Sequence, residues 1–223
     1  MATPAADRGE RAPQAAAEGR RRPRARIETL ADLIFGLSLA IDSIALLPTS
    51  ATTPADMNSR ILIFAFTFLF LITAWLIYTT YMSVLPMDTL AVTFLNVSLL
   101  LLVALIPYLL NNVVLGDNPG IRDYSSSLFT LDLAAILALL ALFAHLIGVE
   151  EKGLVPSEVV KLFRDGRNRM SILAVLMGIS IAPPFWQYTV LGVQARIYMW
   201  TVPLISYWVG RAVSPQSRTY KLS

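Results

Sequence analysis

From Leu30 onward the chain alternates between long apolar runs and short polar segments. The runs are Leu30–Leu47, Arg60–Val84, Thr89–Asn111, Ser127–Val149, Met170–Tyr188 and Ile197–Val213. Each is near the roughly 20 residues that a helix needs to cross the hydrocarbon core. The pattern therefore predicts an all-α integral membrane protein, a bundle of six transmembrane helices. Pro183-Pro184 must end or kink the fifth run, and Pro203 should kink the sixth. Between the fourth and fifth runs, VPSEVVKLFRDGRNR reads as a short helix on the membrane surface. Ser157 would cap it. Val159, Val160, Leu162 and Phe163 form its apolar part, and basic residues follow.

The first run holds two kinds of stripe. At about 100° per residue, Leu30, Ile34, Leu37, Ile41 and Ile44 share one side of the helix. Gly36, Ala40 and Ser43 form an adjacent stripe of small residues, which lets helices approach closely. Asp32 and Asp42 fall on the far side from Leu37. The acids should therefore meet other helices, and the aliphatic stripe is left for lipid, ordinary packing or a partner.

Composition agrees with the pattern. Hydrophobic residues make up 56% of the 223 residues and charged ones 15%, against about 25% charged in soluble domains. The positions of the basic residues then orient the bundle. Arg8, Arg11, Arg20, Arg21, Arg22, Arg24 and Arg26 precede the first run. Lys152, Lys161, Arg164, Arg167 and Arg169 follow the fourth, and Arg211, Arg218 and Lys221 close the chain. With six spans all of these fall on one side, against Arg60, Arg122 and Arg196 on the other. Positive charge favours the cytoplasm, so both termini are expected there, in a multi-pass protein of the cell membrane. Residues 1–25 read as a disordered, Arg-rich cytoplasmic tail, 26–213 as the membrane domain and 214–223 as a second tail. The first tail suits an anionic-lipid anchor. It lacks the aromatic residues of a nucleic-acid surface, and it does not read as a signal peptide.

Enzyme chemistry finds no foothold. With no cysteine and one histidine, His145, the sequence offers no thiolate, no catalytic triad and no metal site of ordinary spacing. A Gly-rich phosphate loop and a carbonyl filter of the TVGYG kind are also missing. No cofactor is expected. What remains are ionisable groups inside spans, which are functional candidates because lipid penalises them. Asp32 lies near the cytoplasmic end of its run. Asp42 is deeper, and either pairs behind its helix or supplies a negative field near the outer mouth. Asp132 lies near the outer end of the fourth run, where simple hydration would account for it. His145 lies late in that run, as a hydrogen-bonded interfacial residue or a pH sensor.

The start of the first run resembles the transmembrane protein 175 family of potassium channels. That family opens its first span with Arg, three residues, then Phe-Ser-Asp. Here the stretch is Arg26-Ile27-Glu28-Thr29-Leu30-Ala31-Asp32, with Arg26 and Asp32 matching. WLIYTTY is similar to the family's Trp-x-x-His, with Trp75 kept and Tyr78 replacing His. NVSLLLLVALIPYLL is similar to its Asn-to-Pro pattern, through Asn96 and Pro107. The resemblance implies a homotetramer with the first span lining a pore, and a hydrophobic constriction in place of a carbonyl filter. Carried over, the constriction falls on Leu37, Ile41 and Ile44. Arg26, Asp32, Trp75, Tyr78 and Asn96 carry the motif network. The family's threonine layer falls on Ala40, and Asp42 is a further departure.

These readings together imply a leak-like potassium or monovalent-cation channel gated by that constriction. Two alternatives stay open. One is a proton- or ion-coupled carrier using Asp42, Asp132 and His145, with the prolines of the last two runs shaping a site. The other is a non-conducting membrane scaffold.

Overall fold

Lipid offers no partner to a bare N–H or C=O, so apolar runs of this length close their hydrogen bonds internally as helices. The structure, a computed structural model, describes residues 28–44, 53–85, 89–115, 118–150, 157–190 and 193–213. The tails 1–25 and 214–223, together with Arg26, lie outside them. The first helix, α1, occupies 28–44. It is followed by α2 (Pro54–Met82), α3 (Leu90–Leu115), α4 (Pro119–Glu150), α5 (Ser157–Ile179), the short α6 (Pro183–Gln187) and α7 (Ala195–Val213). Between α6 and α7, β1 (Thr189–Val190) pairs antiparallel with β2 (Val193–Gln194), Thr189 opposite Gln194.

Among the described residues three stretches are long and apolar enough to cross a membrane: Arg60–Met82, Leu90–Val114 and Pro119–Ile147. The other expected spans are helical but differ in make-up. α1 is shorter in its described part, α5 is charged over its first half, and tyrosine, tryptophan and arginine dilute α7.

Three expected boundaries are corrected. The surface helix and the fifth span are one continuous helix, α5. Charge alone does not stop a helix, and nothing between Arg164 and Met170 removes a backbone donor. The fifth run also does not reach Tyr188. α5 ends at Ile179, and Pro183 and Pro184 take the first positions of α6, where a missing N–H is harmless. The fourth run likewise begins earlier than Ser127. Asn118 Oδ1 accepts the Gly120 N–H at 2.8 Å and starts α4 at Pro119.

α4 is the hub, packing mainly on α3 and α5 and also touching α2, while α7 leans on α2 and α5. Its buried side chains include Phe129, Leu133, Ile136, Leu140 and Phe143. Pro107 and Pro203 sit inside α3 and α7. Hydroxyls in the apolar helices are satisfied locally. Thr67 donates to the Ile63 carbonyl, Thr73 to Leu69 and Thr130 to Ser126, which spares the bundle unpaired donors.

Candidate pore face and polar network

α1 is held on one side only. Ala31, Phe35, Ser38 and Asp42, spaced about one turn apart, are buried. The Phe35 ring lies 6.0 Å from that of Tyr78. On the opposite side Leu30, Leu33, Leu37, Ile41 and Ile44 are all exposed, Leu37 at 56% and Ile44 at 57%. Leu33 is thus part of the open face, and Ile34 is half-buried at its edge. Gly36, Ala40 and Ser43 are exposed beside these residues. A Cβ at Gly36 would meet nothing within 4 Å. The open face therefore combines a wide aliphatic strip with a groove of small residues.

Two hydrogen bonds tie α1, α2 and α3 together through motif residues. Trp75 Nε1 donates to Asp32 Oδ1 at 2.8 Å. Tyr78 Oη donates to Asn96 Oδ1 at 2.8 Å, in a buried setting. Both donors lie on α2, one turn apart, so one face of α2 grips its neighbours on both sides. Arg26, the remaining motif member, lies outside the described residues.

Of the other ionisable candidates, Asp42 lies on α1 and Asp132 and His145 on α4. Asp42 is 6% exposed, on the buried side of α1, and its Oδ2 has no partner among the described residues. Asp132 is 4% exposed, and neither of its oxygens has a partner among them. The expectation that water reaches it is corrected: α4 starts a full two turns before Ser127, so Asp132 lies well along the helix and against the hub's packing. His145 is exposed and takes a hydrogen bond on Nδ1 from Arg167 Nη1 at 3.3 Å. Thirteen residues of helix separate it from Asp132, about 20 Å at 1.5 Å per residue. Asp132 and His145, two of the three candidates of the carrier reading, therefore do not share a site.

The densest polar cluster is one the sequence reading passed over. Arg196 counted there only as a charge on the sparsely basic side, yet it is 1% exposed. Its Nη1 reaches Ser126 Oγ at 2.6 Å, Ser127 Oγ at 2.9 Å and Asp123 Oδ1 at 3.3 Å. Its Nε donates to the Ser180 carbonyl at 3.0 Å and its Nη2 to that of Ile181 at 2.7 Å. The Trp186 ring lies 5.4 Å from the guanidinium carbon. One side chain thereby joins the start of α4, the end of α5, α6 and α7. Further on, Trp200 Nε1 donates to Thr130 at 2.9 Å and Arg169 Nε to Ser206 at 2.8 Å. The signals in the sequence were an arginine next to an apolar run and the Ser125–Ser127 triplet, seventy residues away.

No family model matches the chain, and no curated protein sequence does. A solved structure does: the lysosomal potassium-selective channel TMEM175 homolog from Chamaesiphon minutus, at 15% identity and a TM-score of 0.59. The match covers 86% of this chain and all of that one. The chain shares this channel's fold. At this identity the likeness is one of backbone architecture.

Proposed function

We propose that the chain is the subunit of a leak-like potassium or monovalent-cation channel. Six spans per subunit, four subunits around an axis and both termini in the cytoplasm make up the assembly. α1 lines the pore, and Leu37, Ile41 and Ile44 form rings that close it by excluding water. The observation that carries this reading is the open face of α1. A helix fixed on one side by Trp75 and Tyr78 presents five large aliphatic residues outward on the other. The small residues beside them fit close packing against an identical helix. The shared fold with a TMEM175 homolog supports the same arrangement.

Asp132 favours a second reading, the coupled carrier, because a buried carboxylate with no partner among the described residues is costly to keep. The 20 Å or so along α4 between Asp132 and His145 weighs against a relay.

The test is potassium flux through purified protein in liposomes, wild type against Leu37→Ala, with sodium and a large organic cation for comparison. A channel gives passive, non-saturating flux that Leu37→Ala increases. Saturable exchange abolished by Asp132→Asn would favour the carrier instead. Absence of flux from a correctly assembled protein would leave a scaffold.

A further inference from the structure

We propose that the groove between α4 and α5 binds an anionic phospholipid, its phosphate held by His145, Arg164 and Arg167. The argument starts from two exposed stripes. On α5, Ile179, Val175 and Ile172 are exposed at 54%, 62% and 61%. The same side of the helix continues, one turn on, through exposed Asn168, Arg164 and Lys161. On α4, exposed Leu131, Ala138 and Leu142 lead in the same way to exposed His145. Each stripe is apolar over the depth that acyl chains occupy and then turns into hydrogen-bond donors.

The two stripes change character at the same level, because Arg167 spans the groove to His145 at 3.3 Å. The contact also defines the donors. A guanidinium has no acceptor, so Nδ1 of His145 accepts and the ring proton sits on Nε2, free to donate. Asn168 Oδ1 takes Arg167 Nε at 3.2 Å and Nη2 at 3.0 Å. Of the five guanidinium N–H groups, three are thereby used and two remain. Asn168 and His145 hold the fork in place, which is the arrangement that suits bidentate contact with phosphate. Among the described residues no ion pair engages Lys161, Arg164 or Arg167. Asp165 lies one turn on from Lys161 and beside Arg164, so it offsets part of the charge at that end of the stripe, while about 200° of helix separates it from Arg167. Arg169 faces inward to Ser206 and is not part of the groove.

Positive charge beside two apolar stripes matches a lipid with a negative headgroup, and the biased side of the bundle puts it in the cytoplasmic leaflet. A zwitterionic headgroup would bring its own cation into the same donors and gain less.

The test uses the full chain and native mass spectrometry, titrating phosphatidylglycerol or phosphatidylcholine into detergent-purified protein. Wild type is expected to bind phosphatidylglycerol at least tenfold more tightly. Arg164→Gln and Arg167→Gln should each weaken that binding about fivefold, from about 1 kcal/mol per surface charge. Arg164→Gln changes an exposed side chain and should fold normally. Arg122→Gln, at the other end of the bundle, should change nothing. Equal binding by wild type and both groove variants would overturn the proposal, because the Arg-rich tail alone would then hold the lipid. Saturation of the site by millimolar inorganic phosphate without lipid would also overturn it, in favour of a soluble anion.

Discussion

Arg196 is the residue on which most contacts converge, and its chemistry is not shared by lysine. Its three nitrogens reach two carbonyls, two serine hydroxyls and Asp123 in five directions. An ammonium is a single point and cannot fill them together. Arg196→Lys should therefore recover less than half of the stability that Arg196→Met removes, itself about 3 kcal/mol. Thermal unfolding in detergent, followed by tryptophan fluorescence, measures both; equal unfolding temperatures for Arg196→Lys and wild type would refute the account. Asp132 behaves in the opposite sense. Both of its oxygens are buried without partners among the described residues, so Asp132→Leu removes a penalty of about 1–3 kcal/mol. In a channel it should raise the unfolding temperature and leave potassium flux intact. Loss of flux would instead return Asp132 to a working role. The residue scale is also where sequence reading was most uneven. Trp75, Asp32, Tyr78 and Asn96 were legible because they recur in one motif order. Arg196 was not, since a buried arginine is recognised by its partners, and those come from three separate stretches of chain.

At the scale of elements, α5 shows how charge misleads. The basic segment ending at Arg169 reads as a separate surface helix, yet a helix stops only where its backbone does, and α5 runs unbroken to Ile179. The prolines were the better guide, since the chain does break just before Pro183-Pro184 and restarts as α6. The β1–β2 pairing left no mark in the pattern, because two residues per strand are too few for any alternation. Where α5 meets α7, the fit depends on a glycine. A Cβ on Gly210 would sit 2.5 Å from Arg169 Nη1 and 3.0 Å from its Cζ. Gly210→Ala must push the guanidinium, the far end of a flexible side chain, aside and strain its bond to Ser206, costing about 1 kcal/mol or less. In an Arg169→Met background the obstruction is relieved, and the same change should be neutral or stabilising, since alanine favours helix over glycine. A double-mutant cycle on unfolding temperature measures this coupling. Purely additive effects would show that Arg169 does not rest on Gly210.

For the whole molecule, the open face of α1 makes assembly and conduction separable. The aliphatic strip and the small-residue groove are adjacent but distinct, so they answer to different substitutions. A methyl added at Gly36 would have no neighbour within 4 Å, so Gly36→Leu places its bulk outside the subunit. A single subunit should therefore fold with unchanged helix content. Between subunits the same bulk would hold neighbouring α1 helices apart, because close approach needs small residues at the contact. Gly36→Leu and Ala40→Leu should lower the oligomeric fraction at least tenfold, read by chemical cross-linking and light scattering in detergent. Leu37→Ala should leave that fraction unchanged and raise flux, because it widens a constriction without touching the groove. The two results together distinguish a pore from a lipid-facing helix. If α1 simply faced lipid, Gly36→Leu would add apolar surface to an apolar solvent, and assembly would be the same as in wild type.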